Sequence, residues 1–263
     1  MPEQVFAELI NKEKVIDGIY KYSVKAENIV KTSKPGNFIE IRVTDGIDPF
    51  LRRPISIYNL DKDNGILEFI FQVKGKGTEI LSRKEVGEKI DIIGPLGFGT
   101  FNFEKYNKIA VIGGGIGIFP LYELSKEAKG SGKTVNCYLG FRNKDLVMLE
   151  KEFKEVTDKL IVCTDDGSYG ESGFAINKLI NDMEKEQYEC IYACGPTPML
   201  RAVKKYADEN NIKAQVSLEE KMGCGLGVCL GCAVRKAGSP DDAPEYFHVC
   251  KGGPVFNSKD VEF

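Results

Sequence analysis

The residues best suited to chemistry are four cysteines near the C-terminus. Cys224, Cys229 and Cys232 follow one another as C-x4-C-x2-C, and Cys250 comes after seventeen more residues. Three thiolates from a tight loop and a distant fourth match the plant-type spacing for a [2Fe–2S] cluster. Gly223, Gly225, Gly227 and Gly231 let the backbone fold closely and point N–H groups at sulfur. Such bonds would raise the reduction potential by stabilising the more negative reduced cluster. A structural zinc ion would use the same four thiolates and is the competing occupant. The spacing favours iron–sulfur, because zinc sites prefer paired C-x2-C hooks and only one is present.

Three further constellations could hold a nucleotide. Ile109–Ile112 runs into Gly113-Gly114-Gly115-Ile116-Gly117-Ile118-Phe119-Pro120, a strand, a glycine turn and a helix start. Glycines there would let a pyrophosphate approach the backbone at a helix N-terminus. The third glycine of the usual fingerprint is missing: Ile118 or Pro120 stands in its place. The next strand ends in Leu139-Gly140-Phe141-Arg142, with no acid to hold a ribose, so NAD versus NADP is left open. Tight strand–helix packing is the plainer reading of such glycines. Cys194-Gly195-Pro196-Thr197-Pro198 closes a predicted strand at the sheet edge where nucleotides bind, with Thr197 expected as N-cap and Pro198 as first helical residue. Arg52-Arg53-Pro54-Ile55-Ser56 and the downstream Gly75-Lys76-Gly77-Thr78 could hold a diphosphate between a guanidinium and a helix start. Taken alone, the first of these is better explained by a solvated basic pair beside an edge-strand proline.

Composition narrows the chemistry. The only histidine is His248 and tryptophan is absent, which argues against His-rich metal sites and Ser-His or Cys-His relays. A length of 263 residues suggests two domains, and 42% hydrophobic with 29% charged residues is a globular mix. A net charge of −3 gives no footprint for nucleic acid. The best apolar stretch, Ile109 to Tyr122, is too short and glycine-broken for a membrane span. Met1-Pro2-Glu3-Gln4 does not resemble a signal peptide. A cytoplasmic protein is expected, in which clustered cysteines mean metal or redox work rather than disulfides.

The elements that must position these groups fall into two patterns. Before Glu104, Phe38–Val43 and Ile66–Val73 alternate, placing Ile39, Ile41 and Val43, and Leu67, Phe69, Phe71 and Val73, on inward faces. Strands near Gly18–Ala26, Pro54–Tyr58 and Lys89–Ile93 join them, and a small antiparallel barrel is predicted over 1–103. From 104 to 217, apolar runs at Ile109–Ile112, Val135–Phe141, Leu160–Thr164, Cys190–Cys194 and Ala214–Leu218 alternate with helical stretches. That pattern predicts an α/β domain with a parallel sheet. From 218 to 263 the periodicity vanishes, leaving a small cysteine-bearing domain.

Together these pieces resemble the ferredoxin reductase superfamily, and within it the electron-transfer subunits of NAD-dependent class 1B dihydroorotate dehydrogenases. The likeness spans nearly the whole chain. It is carried most specifically by Arg52–Ile57, Cys194–Leu200, Glu219–Gly225 and Val249–Phe256. It implies FAD held by Arg53, Pro54, Ile55 and Ser56, flanked by Ile70, Phe71 and Gln72, with Gly77 and Thr78 at its phosphates. It implies NAD over Gly115 and Gly117, with Cys194, Gly195 and Pro196 near the hydride position, and a [2Fe–2S] cluster on Cys224, Cys229, Cys232 and Cys250. Ile55 stands where many reductases have a flavin-stacking tyrosine, and the G-x-G-x-x-P turn replaces the usual fingerprint; both favour the narrower group. The resemblance further implies a partner, an FMN-bearing dihydroorotate dehydrogenase catalytic subunit in a heterotetramer, and electron flow through cluster and FAD to NAD+ for pyrimidine (UMP) biosynthesis. No side-chain acid or base is expected in the hydride step. The alternatives are another NAD(P)H-linked ferredoxin or sulfide reductase subunit, or a zinc-bearing nucleotide sensor.

Overall fold

A computed structural model describes residues 2–263. Its first third is a closed antiparallel barrel of β1 (Glu3–Ile16), β2 (Ile19–Lys25), β3 (Phe38–Arg42), β4 (Arg53–Asp61), β5 (Ile66–Gln72) and β6 (Lys89–Leu96). The order is β1-β2-β5-β4-β3-β6, and β1 closes the ring by pairing with both β2 and β6. Two short helices, α1 (Glu27–Thr32) and α2 (Lys76–Ser82), interrupt the strands. Ile39, Ile41, Leu67, Phe69 and Phe71 fill the interior as the alternation predicts. Val73 lies just past the end of β5 and is only partly buried.

No alternation announces β1. Of its residues only Ala7 and Leu9 are fully buried, and the rest is rich in Glu and Lys, so its period is faint. Backbone pairing on both edges makes it a strand regardless.

The second layer is a seven-stranded sheet. β7 (Lys108–Gly114), β8 (Thr134–Phe141), β9 (Lys159–Thr164), β10 (Glu171–Ser172), β11 (Cys190–Cys194) and β12 (Lys213–Ser217) are all parallel. The helices α3 (Phe119–Gly130), α4 (Glu150–Glu155), α5 (Ala175–Met183) and α6 (Thr197–Glu209) cover its faces. The order β10-β9-β8-β7-β11-β12 reverses direction between β7 and β11, the switch point where open α/β sheets bind ligands. No helix among the described residues is long and apolar enough to cross a membrane.

The tail is more regular than its sequence suggests. β13 (Ala233–Lys236), β14 (Tyr246–His248) and β16 (Val261–Glu262) form a three-stranded antiparallel sheet, with α7 (Val249–Gly252) between β14 and the next strand. That next strand, β15 (Val255–Asn257), leaves the tail and adds antiparallel to β12 at the edge of the large sheet. Elements of two to four residues are too short for a period to be read.

Side chains lock the barrel to the sheet layer. The buried Glu123 carboxylate on α3 accepts the Leu60 N–H of β4 at 2.9 Å, and Lys126 donates to the Leu60 carbonyl at 2.9 Å. Tyr58 stacks on Tyr122 with ring centroids 4.5 Å apart.

Candidate flavin, nucleotide and cluster sites

A cleft opens between the barrel end and the switch point. Pro54, Ile55, Ser56, Ile70, Phe71, Gln72 and Thr78 all line it. Ile70 packs into the sheet-layer core and Phe71 into the barrel core, so β5 ends at the seam between the two. Ile55 also leans on the barrel core. Arg53 and Gly77 are not among the lining residues but meet each other beside it. A Cβ on Gly77 would lie 2.3 Å from Arg53 Nε, so only glycine admits the guanidinium there. Arg53 donates to the main-chain carbonyls of Leu51 and Arg52, which fixes the head group at the start of α2. The Thr78 hydroxyl is already engaged: it accepts the N–H groups of Lys74 and Gly75 and donates to the Gly75 carbonyl.

The sequence motifs on the far wall were read without a role in the cleft. Lys74, Ile116, Phe119, Met222, Pro254 and the run Ser217–Glu220 complete the cleft. Desolvation in the cleft raises the Glu219 carboxyl above its usual range, against the pull of Lys74. Glu219, Glu220 and Met222 follow the end of β12, so the signal available was that strand's predicted carboxyl end.

The two glycine-bearing turns at the switch point interlock. Cys194 of β11 pairs with Gly113 of β7. A Cβ on Gly117 would lie 2.6 Å from both the Cys194 carbonyl oxygen and Gly195 Cα, and one on Gly114 would lie 2.7 Å from Pro196 Cδ. Gly117 is therefore a packing glycine. Gly115 differs: its φ is +55° and nothing lies within 4 Å of its Cβ position, which leaves open backbone at the head of α3. Burial pushes the Cys194 thiol well above the ordinary range, so it is neutral. Thr197 proves to be the first residue of α6 rather than its cap; Pro196 holds the cap position and no side chain bonds there. The boundary moves by one residue, because proline fits either of the first two helical positions.

The cysteine loop spans β12 and β13. The N–H groups of Leu226, Val228 and Cys229 each reach Cys224 Sγ at 3.4 Å, and Gly227 N–H reaches Cys250 Sγ at 3.1 Å. Cys232 and Cys250 have sulfurs 3.2 Å apart and are buried, while Cys229 is exposed. A Cβ on Gly223 would lie 3.3 Å from Cys229 Sγ, so that sulfur folds back against the start of the loop beside Cys224. Desolvation works against Cys224 ionising, but the amides of Cys229, Leu226 and Val228 overcome it and lower the thiol to about 6. Amides aimed at sulfur, rather than side-chain acids or bases, are what an iron–sulfur group needs, and the donor set fits. Among the described residues no three His, Cys, Asp or Glu side chains are gathered tightly enough for a single ion, so the fit rests on these amides and the spacing.

The loop abuts the cleft. Gly99 N–H donates to the Gly253 carbonyl at 2.9 Å and Leu218 N–H to the Pro254 carbonyl at 2.9 Å. Pro254, four residues after Cys250, lines the cleft itself. On the barrel side, Glu40 of β3 touches the loop at Gly225. Burial raises its carboxyl to about 7, with Arg52 pulling downward, Cys224 upward and Arg53 downward.

A flavin-type barrel, a nucleotide-type sheet and a cysteine loop against their shared cleft define a pyridine-nucleotide, flavin and iron–sulfur oxidoreductase. Comparison with known proteins agrees. The oxidoreductase FAD-binding domain matches residues 7–103, the oxidoreductase NAD-binding domain 111–205, and the iron–sulfur cluster binding domain of dihydroorotate dehydrogenase B 219–262. The electron transfer subunits of dihydroorotate dehydrogenase B (NAD(+)) from Bacillus mycoides (strain KBAB4) and Bacillus cereus (strain Q1) are each 38% identical over 250 residues, 94% of either chain. This chain belongs to the family of dihydroorotate dehydrogenase B electron transfer subunits. It is an NAD-dependent oxidoreductase subunit with sites for FAD, NAD and a [2Fe–2S] cluster.

Among solved structures, the NADH-dependent reduced ferredoxin-NADP oxidoreductase, described in connection with flavin-based electron bifurcation, superposes with a TM-score of 0.86 at 30% identity. It covers 98% of this chain and 90% of its own. Phthalate dioxygenase reductase shares the fold at 13% identity, with a TM-score of 0.64 and 94% of each chain covered.

Proposed function

We propose that this chain carries electrons from the FMN of a separate dihydroorotate dehydrogenase catalytic subunit to NAD+, in pyrimidine (UMP) biosynthesis in the cytoplasm, as two copies in a heterotetramer. The reading is carried by one observation: Met222, two residues before Cys224, and Pro254, four residues after Cys250, both line the cleft, so a cluster and a flavin held at these places are neighbours. Bound FAD supplies two-electron exchange with nicotinamide and one-electron exchange with the cluster.

The chain's residues bind, orient and exclude water. Arg53, already fixed by main-chain carbonyls beside Gly77 and Thr78, faces the diphosphate. Pro54, Ile55, Ser56, Ile70, Phe71 and Gln72 wall the ring. Gly115 offers open backbone to the dinucleotide. Gly117, Cys194, Gly195 and Pro196 shape the turn against which the nicotinamide lies. Cys224, Cys229, Cys232 and Cys250 hold the cluster. The working units are 1–103, 104–217 and 218–263, with β15 returning to brace the middle one. Leu226, Val228 and Leu230 are exposed around Cys229 and form the face on which the catalytic subunit seats.

A subunit of an NAD(P)H-linked ferredoxin reductase is the second reading, favoured by the whole-chain superposition on the ferredoxin-NADP oxidoreductase. Anaerobic co-purification decides between them. An FMN-bearing partner that reduces NAD+ with dihydroorotate supports the first reading. A partner that exchanges electrons with ferredoxin and is inert to dihydroorotate contradicts it.

A further inference from the structure

Among the described residues Glu40 is the one fully buried acid of the barrel strands. Its neighbours Ile39 and Ile41 fill the barrel, so alternation puts Glu40 on the outer face. That face is not solvent: the cysteine loop covers it, and Glu40 is 1% exposed. Neither carboxyl oxygen has a hydrogen-bond partner. On one side its cross-strand neighbour is Pro54, in the strand that walls the flavin. On the other is Ile93 of β6, and over the outer face lies the cysteine loop, so close that a Cβ on Gly225 would be 2.3 Å from Glu40 Oε1.

The nearby cations are committed elsewhere. Arg52, just before β4, makes a bidentate pair with Asp91 of β6, at 3.0 and 2.9 Å, and approaches only the main-chain carbonyl of Glu40. Arg53 is bound to the carbonyls of Leu51 and Arg52. Cys224, next to Gly225 in sequence, is the cysteine of the loop nearest that contact in the chain. An unpaired carboxyl sealed in a low-dielectric seam is costly, and a glutamine would fill the same volume. Net charge and burial are among the levers by which a protein sets a cluster's potential.

We propose that Glu40 is a positioning residue for the iron–sulfur centre, whose buried carboxylate disfavours the arriving electron and makes the cluster a stronger donor to the flavin. This rests on the iron–sulfur reading of the loop. The test is a redox titration of anaerobic holoprotein at pH 8.5, followed by the paramagnetic signal of the reduced cluster, in wild type, E40Q and E40D. E40Q is expected to shift the cluster midpoint positive by at least a tenfold change in the reduced-to-oxidised ratio, ~59 mV for one electron. E40D keeps the charge and is expected to stay close to wild type, with iron and FAD contents unchanged throughout.

An E40Q midpoint equal to wild type overturns the proposal. Equal shifts in E40Q and E40D also overturn it, since they would mark packing rather than charge. If E40Q holds no iron, E40A takes its place; failure of both neutral variants assigns Glu40 to folding of the loop and overturns the proposal too. Absence of iron from the wild type would instead defeat the reading beneath it.

Discussion

The turn after β7 and the loop after β12 are both glycine-rich, yet glycine does different work in each. At Gly117 the missing side chain lets backbone meet backbone, and the space is closed by Cys194 and Gly195. At Gly225 and Gly227, φ values of +67° and +78° turn the chain around sulfur, and the amides of Gly227 and its neighbours end on Cys250 and Cys224. A glycine pattern is thus ambiguous until the nearest atom is known. Where that atom is a carbonyl the glycine packs; where the curled loop aims amides at thiols it prepares a ligand site.

Substitutions can break this contrast. The largest effect is expected in the loop: Cys250→Ser should abolish or strongly destabilise the cluster while FAD stays bound and NADH-driven dye reduction is largely kept. Iron content and a dye assay check it, and collapse of dye reduction with FAD retained would contradict the order of carriers. After removal of iron, Cys224 should be the reactive thiol of the pair Cys224 and Cys250. Its value near 6 leaves it mostly thiolate at pH 7, whereas desolvation and the Cys232 contact raise Cys250 to about 12. Alkylation at pH 7 should favour Cys224 by at least about tenfold and slow as pH falls through 6, as peptide mapping would show.

Effects in the cleft and turn are smaller. Arg53→Ala should weaken FAD binding by roughly 1.5–3 kcal/mol, the scale of a charge-assisted hydrogen bond. Unchanged affinity by flavin fluorescence would remove Arg53 from the site. Gly117→Ala should cost ~1–3 kcal/mol of stability through its clash with fixed backbone. Gly115→Ala has open space and should cost only the left-handed backbone penalty, about 1–2 kcal/mol. The turn's two roles separate if Gly115→Ala also raises KM for NADH in steady-state assays while Gly117→Ala acts mainly on melting temperature.

Much of this was legible in the chain itself. The four cysteines, the barrel strands with clean alternation and the buried parallel strands stand in the sequence, because local spacing and period dictate them. Three things were not legible. β1 closes the barrel through backbone pairing while its side chains stay largely polar and exposed. β15 is three residues long and joins a sheet whose other strands lie far earlier. Glu40 looks like an ordinary outward-facing acid on an alternating strand, and only the docking of a loop from about 185 residues later buries it. Each depends on contacts distant in sequence, to which period and propensity are blind.

The most direct test of the central claim is the metal and visible spectrum of anaerobically purified protein. About two irons and one flavin per chain, with both absorptions bleached by NADH, are expected. A colourless protein that contains zinc in place of iron would contradict the account.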